Sequence, residues 1–188
     1  MVKVMFVEGR WEGEIALGSE VLAYLEKRGV RNIALFSSVQ FLKLETVRAQ
    51  LSKAGIEVRT TRARRAWHAV QLLGCDADPD SFDENVLAES DIGLYVGDGM
   101  FHPKALLLCQ RTKREGTKGK GTKGGGEVKD IVIWNPVARA MSIMTRQDMK
   151  KEVMRLSANL KRFIAAQTIG ILVSLKPGQE FLRAGEEL

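Results

Sequence analysis

Apolar residues along this chain fall into short runs, separated by segments long enough to form helices. We predict a strand from each run, and the runs cover residues 4–7, 32–36, 56–60, 92–96, 131–134 and 169–175. The runs are continuous, where an alternation of apolar and polar residues would indicate a half-exposed strand. Continuous runs are typical of parallel strands that are buried on both faces. The pattern therefore predicts an α/β fold with a parallel, Rossmann-like sheet flanked by helices.

Three of the intervening segments have the spacing of amphipathic helices. We expect Ser19 to be the N-cap of the first helix, and Gly29 and Gly55 to end the first and second. A third helix is expected from about Asp148. The apolar positions that define the three helices are Val21, Leu22 and Leu25; Leu44, Val47 and Leu51; and Val153, Leu156, Leu160, Phe163 and Ile164. We expect one domain over residues 1–145, and a linking helix with the partial start of a second α/β unit over residues 146–188.

Length and composition limit the classes of protein to which this chain can belong. The 188 residues are 45% hydrophobic, which is enough for a core, and no apolar run is long enough to span a bilayer. The chain opens on a strand-like run and does not show the order of regions found in signal peptides. These features favour a cytoplasmic protein with reduced thiols.

The net charge of +6 is concentrated in one segment. Residues 111–129 hold seven Lys or Arg and two Glu, a net of +5, which leaves about +1 for the rest of the chain. Glycine and lysine dominate this segment, so we predict a flexible surface insert. Because the charge does not spread over a folded face, a nucleic-acid partner is not favoured.

Parallel sheets bind ligands at the carboxyl ends of their strands, so the loops after residues 36, 60, 96, 134 and 175 are the candidates. After residue 96 the chain reads GDGMFHP, where Gly97 and Gly99 permit a tight turn and Asp98 and His102 offer polar groups. Pro103 is expected to open a helix that runs to residue 110. Two interpretations remain open at this point: a turn whose aspartate caps backbone amides, and a ligand-binding site.

Two further segments have both a structural and a functional interpretation. Arginines cluster near the end of the third predicted strand, either as a solvated loop or as a clamp for a carboxylate or phosphate. They are Arg59, Arg62, Arg64 and Arg65. The loop after the last predicted strand contains Gly178 ahead of a helix but lacks the spacing of a phosphate-binding loop. No GxGxxG, HExxH or nucleophile-elbow motif occurs in the sequence.

The two cysteines, Cys75 and Cys109, have neither the spacing of a zinc site nor that of a disulfide framework. Cys75 follows a glycine in the segment QLLGC (residues 71–75). From the sequence alone, it is either a small buried residue or one ligand of a site completed by groups outside this chain.

Three segments together, in this order, resemble the family of diphthamide-synthesis enzymes. They are QLLGC at 71–75, YVGDGMFHP at 95–103 and GILVSLKPGQ at 170–179, and WNP at 134–136 is similar to a further strand end of the family. The resemblance covers nearly all of this chain but only part of a family member. It matches the central domain and the start of the third.

The resemblance implies an activity and a set of site residues. Family members have three similar α/β domains around a [4Fe–4S] cluster, to which each domain contributes one cysteine. The cluster cleaves S-adenosylmethionine, and the resulting 3-amino-3-carboxypropyl radical is transferred to a histidine of translation elongation factor 2. By resemblance, Cys75 is a metal ligand and His102 and Asp98 are catalytic. The remaining site residues, implied to bind the cofactor, are Gly97, Gly99, Lys176 and Gln179.

This chain differs from the family in its donor count, because one matched cysteine stands where three are expected. Cys109 lies within a predicted helix and matches no family ligand. The resemblance therefore implies a partial or split subunit, with a second chain supplying the missing cysteines. The alternative is a catalytically inactive relative that binds a protein or a metabolite.

Overall fold

A computed structural model describes residues 5, 9–74, 78–110 and 128–173. Its helices and strands, in chain order, are α1 (Ser19–Lys27), β1 (Asn32–Ser37), α2 (Glu45–Lys53), β2 (Glu57–Arg59), a 3-10 turn (Pro79–Ser81), β3 (Ile92–Val96), α3 (Phe101–Cys109), β4 (Ile131–Asn135), β5 (Ala140–Met144) and α4 (Arg146–Ala165). The chain divides into two compact units, Met1–Met149 and Lys150–Leu188, which are described separately below.

The first unit contains a five-stranded sheet with the order β2-β1-β3-β4-β5. The first four strands are parallel, as the continuous apolar runs predict, and β1 and β3 are buried along almost their whole length. The α/β fold with a sheet flanked by helices is confirmed. The sheet is mixed, however, because β5 pairs antiparallel with β4 through a short turn at Pro136–Arg139.

The sequence did not indicate β5, for a physical reason. This strand lies at the edge of the sheet and is only partly buried, so it lacks the apolar run of the inner strands. Its direction is set by the turn before it, in which Arg139 adopts a left-handed backbone with a φ of 49°. The turn reverses the chain after β4 and creates the antiparallel pair.

Each face of the sheet is covered by its own hydrophobic cluster. One cluster joins α1 and α2 to the sheet through residues such as Leu25, Val47 and Leu35. The other joins α3 to the opposite face through residues such as Leu106, Phe36 and Tyr95. Apolar side chains therefore cover both faces, and the polar groups of the sheet lie at the two ends of its strands.

Helix starts were predicted less accurately than helix positions. The prediction that Ser19 is an N-cap is wrong, because Gly18 occupies the N-cap and Ser19 is the first helical residue. Helix α3 begins at Phe101, two residues before Pro103. Helix α4 begins at Arg146 with a capping box, in which the Thr145 hydroxyl accepts from the Gln147 amide and Asp148 accepts from the Thr145 amide.

In the second unit, the part of α4 from Lys150 onward leaves its apolar residues exposed. Leu160, Phe163 and Ile164 are more than half accessible. The predicted strand at 169–175 is wrong for residues 169–173, which have no regular secondary structure. In the parts of the chain that the structure describes, the helices are too short or too polar to cross a bilayer.

Three predictions lie largely or wholly outside the described residues. They are the strand at 4–7, of which only Met5 is described, the insert at 111–129, of which only residues 128 and 129 are described, and the loop that contains Lys176 and Gln179.

Candidate functional site

The carboxyl ends of β1 and β3 form the topological switch point of the sheet. From β1 the chain proceeds outward to β2, and it then returns to place β3 on the other side of β1. Open α/β sheets bind ligands in the crevice that such a reversal creates. The segments that surround this crevice are therefore the candidates for the site.

The segment before Cys75 is hydrogen-bonded to the end of β1. The Ser37 amide donates to the Val70 carbonyl at 2.7 Å, and the Leu72 amide donates to the Ser37 carbonyl at 2.9 Å. The paired strand β2 has already ended, since its last register pair is Ala34 with Arg59. Residues 70–72 thus pair with the carboxyl end of β1, on the side of β1 where β2 pairs with its earlier residues.

Gln71 has a role that the sequence did not indicate. Its side chain is buried, and its Oε1 accepts from the Trp67 amide at 3.2 Å. This bond closes the turn over residues 67–71 and holds the segment against β1. The glutamine in QLLGC is therefore a structural residue of the loop.

Gly74 packs against the start of α3. A Cβ atom at Gly74 would lie 2.0 Å from a ring carbon of Phe101, so the backbone and the ring are in close contact. This contact joins the QLLGC segment to the GDGMFHP segment, although they are more than twenty residues apart in sequence. Cys75 follows Gly74 but lies outside the described residues, so its role as a metal ligand stays a prediction.

Hydrogen bonds of Asp98 connect the turn after β3 to the end of β4. Its Oδ1 accepts from the Gly99 amide at 2.7 Å and from Asn135 Nδ2 at 2.8 Å. Asn135 in turn accepts from the amides of Val137 and Ala138, each at 3.0 Å. The interpretation of Asp98 as a residue that binds a backbone amide in a tight turn is therefore supported, and the same turn has a left-handed Gly99 with a φ of 69°.

His102 lies in the first turn of α3 and contacts two aromatic rings. Its ring stacks on Tyr95 with centroids 6.3 Å apart and an interplanar angle of 11°, and it meets Phe101 edge-on at 5.5 Å. Asp98 lies in the turn before α3 and His102 in the first turn of the helix, so both residues are at the switch point. Their catalytic roles stay predictions.

Gly97 is required by a neighbouring tyrosine. A Cβ atom at position 97 would lie 2.5 Å from the Tyr95 hydroxyl oxygen and 2.6 Å from the ring carbon that carries it. The glycine therefore leaves room for the phenol. This structural role is distinct from the predicted contact with a cofactor.

Tyr95 and Ser38 are polar residues of this edge that sequence reasoning missed. Both residues are buried, and neither hydroxyl forms a well-aligned hydrogen bond with the described residues. Burial raises the pKa of Tyr95 to about 12, an effect that the nearby Ser38 hydroxyl opposes and the charge of Asp98 reinforces. The phenol is thus neutral at physiological pH. The sequence pattern does not indicate such a residue, because a tyrosine within an apolar run is indistinguishable from an ordinary core residue.

Two of the four arginines of the predicted clamp form ion pairs within the chain. Arg59 forms ion pairs with Glu57 at 3.2 Å and with Glu89 at 3.3 Å, and Arg62 pairs with Asp83 at 3.2 Å. These contacts favour the interpretation of a solvated loop over that of an anion site.

A cavity of about 500 Å³ opens between the ends of β1, β3 and β4. It is lined by Gly9, Arg10, Trp11, Gln40, Phe41, Asp98, Asn135, Val137 and Ala138. A larger cavity of about 630 Å³ lies beside the start of α1 and includes none of the predicted site residues. The smaller cavity is the better candidate for the site because Asp98 lines it and because it lies at the carboxyl edge of the sheet.

The cysteines of this chain do not by themselves fit a four-iron cluster. The sequence contains two, and the half-buried Cys109 thiol donates to the Leu106 carbonyl within α3. The parts of the chain that the structure describes contain no group of three or more His, Cys, Asp or Glu residues placed to hold a metal ion. A cluster of this type normally takes several thiolates, so the remaining ligands would have to come from outside these 188 residues.

Comparison with known proteins gives results for the family and for the fold. A family model described as putative diphthamide synthesis protein matches residues 1–188. A crystal structure of Dph2 from Pyrococcus horikoshii with a 4Fe-4S cluster aligns at 22% identity and a TM-score of 0.57, covering 89% of this chain and 42% of that one. A second Dph2 structure from Pyrococcus horikoshii aligns at 23% identity and a TM-score of 0.59, with the same coverage.

At these identities the structural likeness shows the fold alone, and this chain spans about 42% of the length of the solved relatives. A comparison with curated proteins gave no match. Because the family model covers the whole sequence, the chain belongs to the family of putative diphthamide synthesis proteins.

Proposed function

We propose that this chain takes part in the first step of diphthamide biosynthesis. In this reaction a 3-amino-3-carboxypropyl group passes from S-adenosylmethionine to a histidine of translation elongation factor 2. Membership of the family supports a role in diphthamide synthesis. The reaction would take place in the cytoplasm, with elongation factor 2 as the protein substrate.

The observation that carries the proposal is the meeting of two distant segments at the switch point. Residues 70–72 pair with the end of β1, and Gly74 contacts Phe101, the residue before His102. The segment that leads to Cys75 and the turn that contains Asp98 therefore share one edge of the sheet. A ligand-binding edge that brings polar turns together in this way suits a reaction site.

In this proposal Cys75 contributes one thiolate to an iron–sulfur cluster, and ligands from outside these 188 residues complete it. Thiolates are the ligands that such clusters require. The cluster would supply the electron that cleaves S-adenosylmethionine. Asp98, Gly97, Gly99 and His102 would border the bound S-adenosylmethionine, and Lys176 and Gln179 are proposed as further contacts to it.

Anaerobic reconstitution with iron and sulfide tests the proposal. We expect a broad visible absorbance from the chain, either alone or mixed with a family member that carries the other cysteines. Cys75→Ala should abolish this absorbance. Cys109→Ala is the matched control and should retain it, because that thiol is already bonded to the Leu106 carbonyl in α3. The absence of a chromophore in both the single chain and the mixture would overturn the proposal.

The number of matched cysteines, one where three are expected, favours a second candidate function. A family member with one matched cysteine could bind elongation factor 2 or a metabolite without any cluster chemistry. In that case Cys75→Ala would leave binding of elongation factor 2 unchanged, and reconstitution would give no chromophore with any partner.

A further inference from the structure

The larger cavity, of about 630 Å³, opens where the turn after β4 meets the segment before α1. Its volume is that of an ordinary ligand pocket, and none of the predicted site residues lines it. Aromatic and charged side chains together form much of its wall, which makes it a candidate for a second binding site. These side chains belong to Trp11, Glu14, Glu20, Trp134 and Arg139.

Two indole rings line the cavity, and each of them lies against a glycine. A Cβ atom at Gly13 would lie 2.5 Å from Trp11 Nε1, and a Cβ atom at Gly18 would lie 2.6 Å from Trp134 Cη2. Glycine at these two positions therefore leaves room for the rings. Although the two tryptophans are far apart in sequence, the fold brings them to one cavity.

Both rings are held by contacts with the rest of the fold. Trp134 Nε1 donates to the Ala16 carbonyl at 2.8 Å. The Trp11 amide donates to the Gln40 carbonyl at 2.9 Å, and the Trp11 ring packs against Phe41 with centroids 6.3 Å apart. A ligand in the cavity would thus meet aromatic surfaces that are already in position, which lowers the entropy cost of binding.

Two carboxylates line the same space. Glu20 lies in the first turn of α1, and a Cβ atom at Gly18 would meet both Glu20 Oε2 and the Trp134 ring, so the carboxylate and the indole are neighbours. Glu14 lines the cavity from the segment before the helix. Within the described parts of the chain, neither carboxylate forms an ion pair or a hydrogen bond. Both carboxylates therefore remain available to a ligand.

The charges of the wall select a cation over an anion. Two carboxylates and the one guanidinium of Arg139 give the lining side chains a formal charge of −1. The start of a helix normally attracts an anion, but the Glu20 carboxylate already lies at Gly18, the N-cap of α1, and would repel one. Indole rings attract cations to their faces. The carboxylates and the rings therefore favour the same kind of ligand.

We propose that this cavity binds the cationic end of an alkylammonium or guanidinium group. Glu14 and Glu20 supply the counter-charge, and Trp11 and Trp134 contact the cation and its alkyl chain. Arg139 opposes the binding. A basic peptide side chain and a free polyamine both carry such a group, and the experiment below distinguishes these two sources. The site is independent of the proposed function, because none of the residues proposed to hold the cluster or S-adenosylmethionine lines it.

Titration of the full chain at low salt, followed by tryptophan fluorescence, tests the proposal. Trp67 is 91% exposed and does not line the cavity, so Trp67→Phe in every sample leaves Trp11 and Trp134 as the only indoles. The probes are lysine, arginine and norleucine blocked as N-acetyl methylamides, and putrescine. We expect the two blocked basic amino acids to bind about tenfold more tightly than blocked norleucine, which has a similar chain without the charge.

The other comparisons of probes identify the source of the cation. Added salt should weaken the binding of each basic probe, because the carboxylates are exposed to solvent. Tighter binding of blocked lysine than of putrescine would support the site with a peptide side chain as its ligand. The reverse preference would support it with a free polyamine as its ligand.

Variants of the charged residues should change the affinity for blocked lysine in opposite directions. Glu14→Gln/Glu20→Gln removes the counter-charge at nearly constant size and should weaken binding about fivefold. Arg139→Gln removes the opposing charge and should strengthen binding about threefold. Glu45→Gln is the matched control and should bind as the wild type does, because Glu45 is also exposed in the first turn of a helix, α2, but does not line the cavity.

Three outcomes would overturn the proposal. The first is equal affinity of the wild type for blocked lysine and blocked norleucine. The second is a change of the wrong sign, with Arg139→Gln binding blocked lysine more weakly or the double glutamate variant binding it as tightly as the wild type. The third is competition between blocked lysine and S-adenosylmethionine, which would assign the cavity to the proposed cofactor and leave the proposed function intact.

Discussion

The two ends of strand β3 differ in how their polar side chains are hydrogen-bonded, whether these are buried, as Ser90 and Tyr95 are, or exposed, as Asp91 is. At the amino end, Ser90 donates to the Val86 carbonyl, and Asp91 accepts from the amides of Arg31 and Asn32 at 2.8 and 3.1 Å. At the carboxyl end, the hydroxyls of Tyr95 and Ser38 have no such bonds among the described residues. The same strand thus has one end where local bonds satisfy its polar groups and one end where they do not.

The two ends of the strand therefore differ in how much their polar groups stabilise the fold. At the amino end, side chains close the sheet and the loop before it, which stabilises the fold. At the carboxyl end, two buried hydroxyls form no well-aligned hydrogen bond with the described residues, which lowers the stability of the fold. Four predictions test this contrast, in order from the largest expected effect to the smallest.

Gly97→Ala should be the most damaging of these changes, at about 3 kcal/mol of unfolding free energy. The new Cβ would lie 2.5 Å from the Tyr95 hydroxyl, and the buried aromatic ring has no room to move aside. Urea denaturation measures the loss. Gly93→Ala is the control and should cost less, because its closest contact is the end of the Ile131 side chain, which can rotate away. Equal losses would contradict the proposed tight fit at the carboxyl end.

Alkaline pH should act on the carboxyl end. Burial holds the pKa of Tyr95 at about 12 in the folded chain, above its ordinary value of 10.0. The unfolded chain therefore loses this proton first, and the free energy of unfolding should fall as the pH rises from about 10 toward 12. Urea titrations across this range should show a smaller fall for Tyr95→Phe. If the free energy of unfolding fell equally with rising pH in the wild type and in Tyr95→Phe, the burial of the phenol would be contradicted.

Acid pH should act on the amino end. Hydrogen bonds from the backbone amides of Arg31 and Asn32 lower the pKa of Asp91 below 3.8 in the folded chain. The stabilisation is therefore present above that value and is lost as the pH falls through the folded pKa. Asp91→Asn should cost about 1 kcal/mol at neutral pH and should weaken the acid dependence of stability. A variant that retained the full acid dependence would assign it to other carboxylates.

Tyr95→Phe should have the smallest effect at neutral pH. The Tyr95 hydroxyl forms no well-aligned hydrogen bond with the described residues, so its removal should leave the melting temperature the same or raise it slightly. Ser90→Ala removes a satisfied buried hydroxyl and should cost about 1 kcal/mol. Thermal denaturation by circular dichroism compares the two variants. If Tyr95→Phe were as destabilising as Ser90→Ala, the phenol would have a structural partner and the contrast between the two ends would fail.

The inner elements of the sheet were predictable because their apolar runs are local signals. The strands β1, β3 and β4 and the helices α1 and α2 lie where the sequence pattern indicated. Edge elements were less predictable, since β5 is half-exposed and depends on the reversal at Arg139. The first helix showed the same limit at its start, because a serine beside a glycine does not reveal which of them is the N-cap.

The sequence by itself determined the fold class, the family, and the segment GDGMFHP that contains Asp98 and His102. These follow from patterns that are contiguous along the chain. Only the tertiary structure decided that Gly74 meets Phe101, that Arg59 and Arg62 are paired, and that the buried hydroxyls of Tyr95 and Ser38 lie close to each other. Such contacts join residues that are distant in sequence, and their geometry is fixed by the parallel register of β1 and β3, which no local pattern encodes.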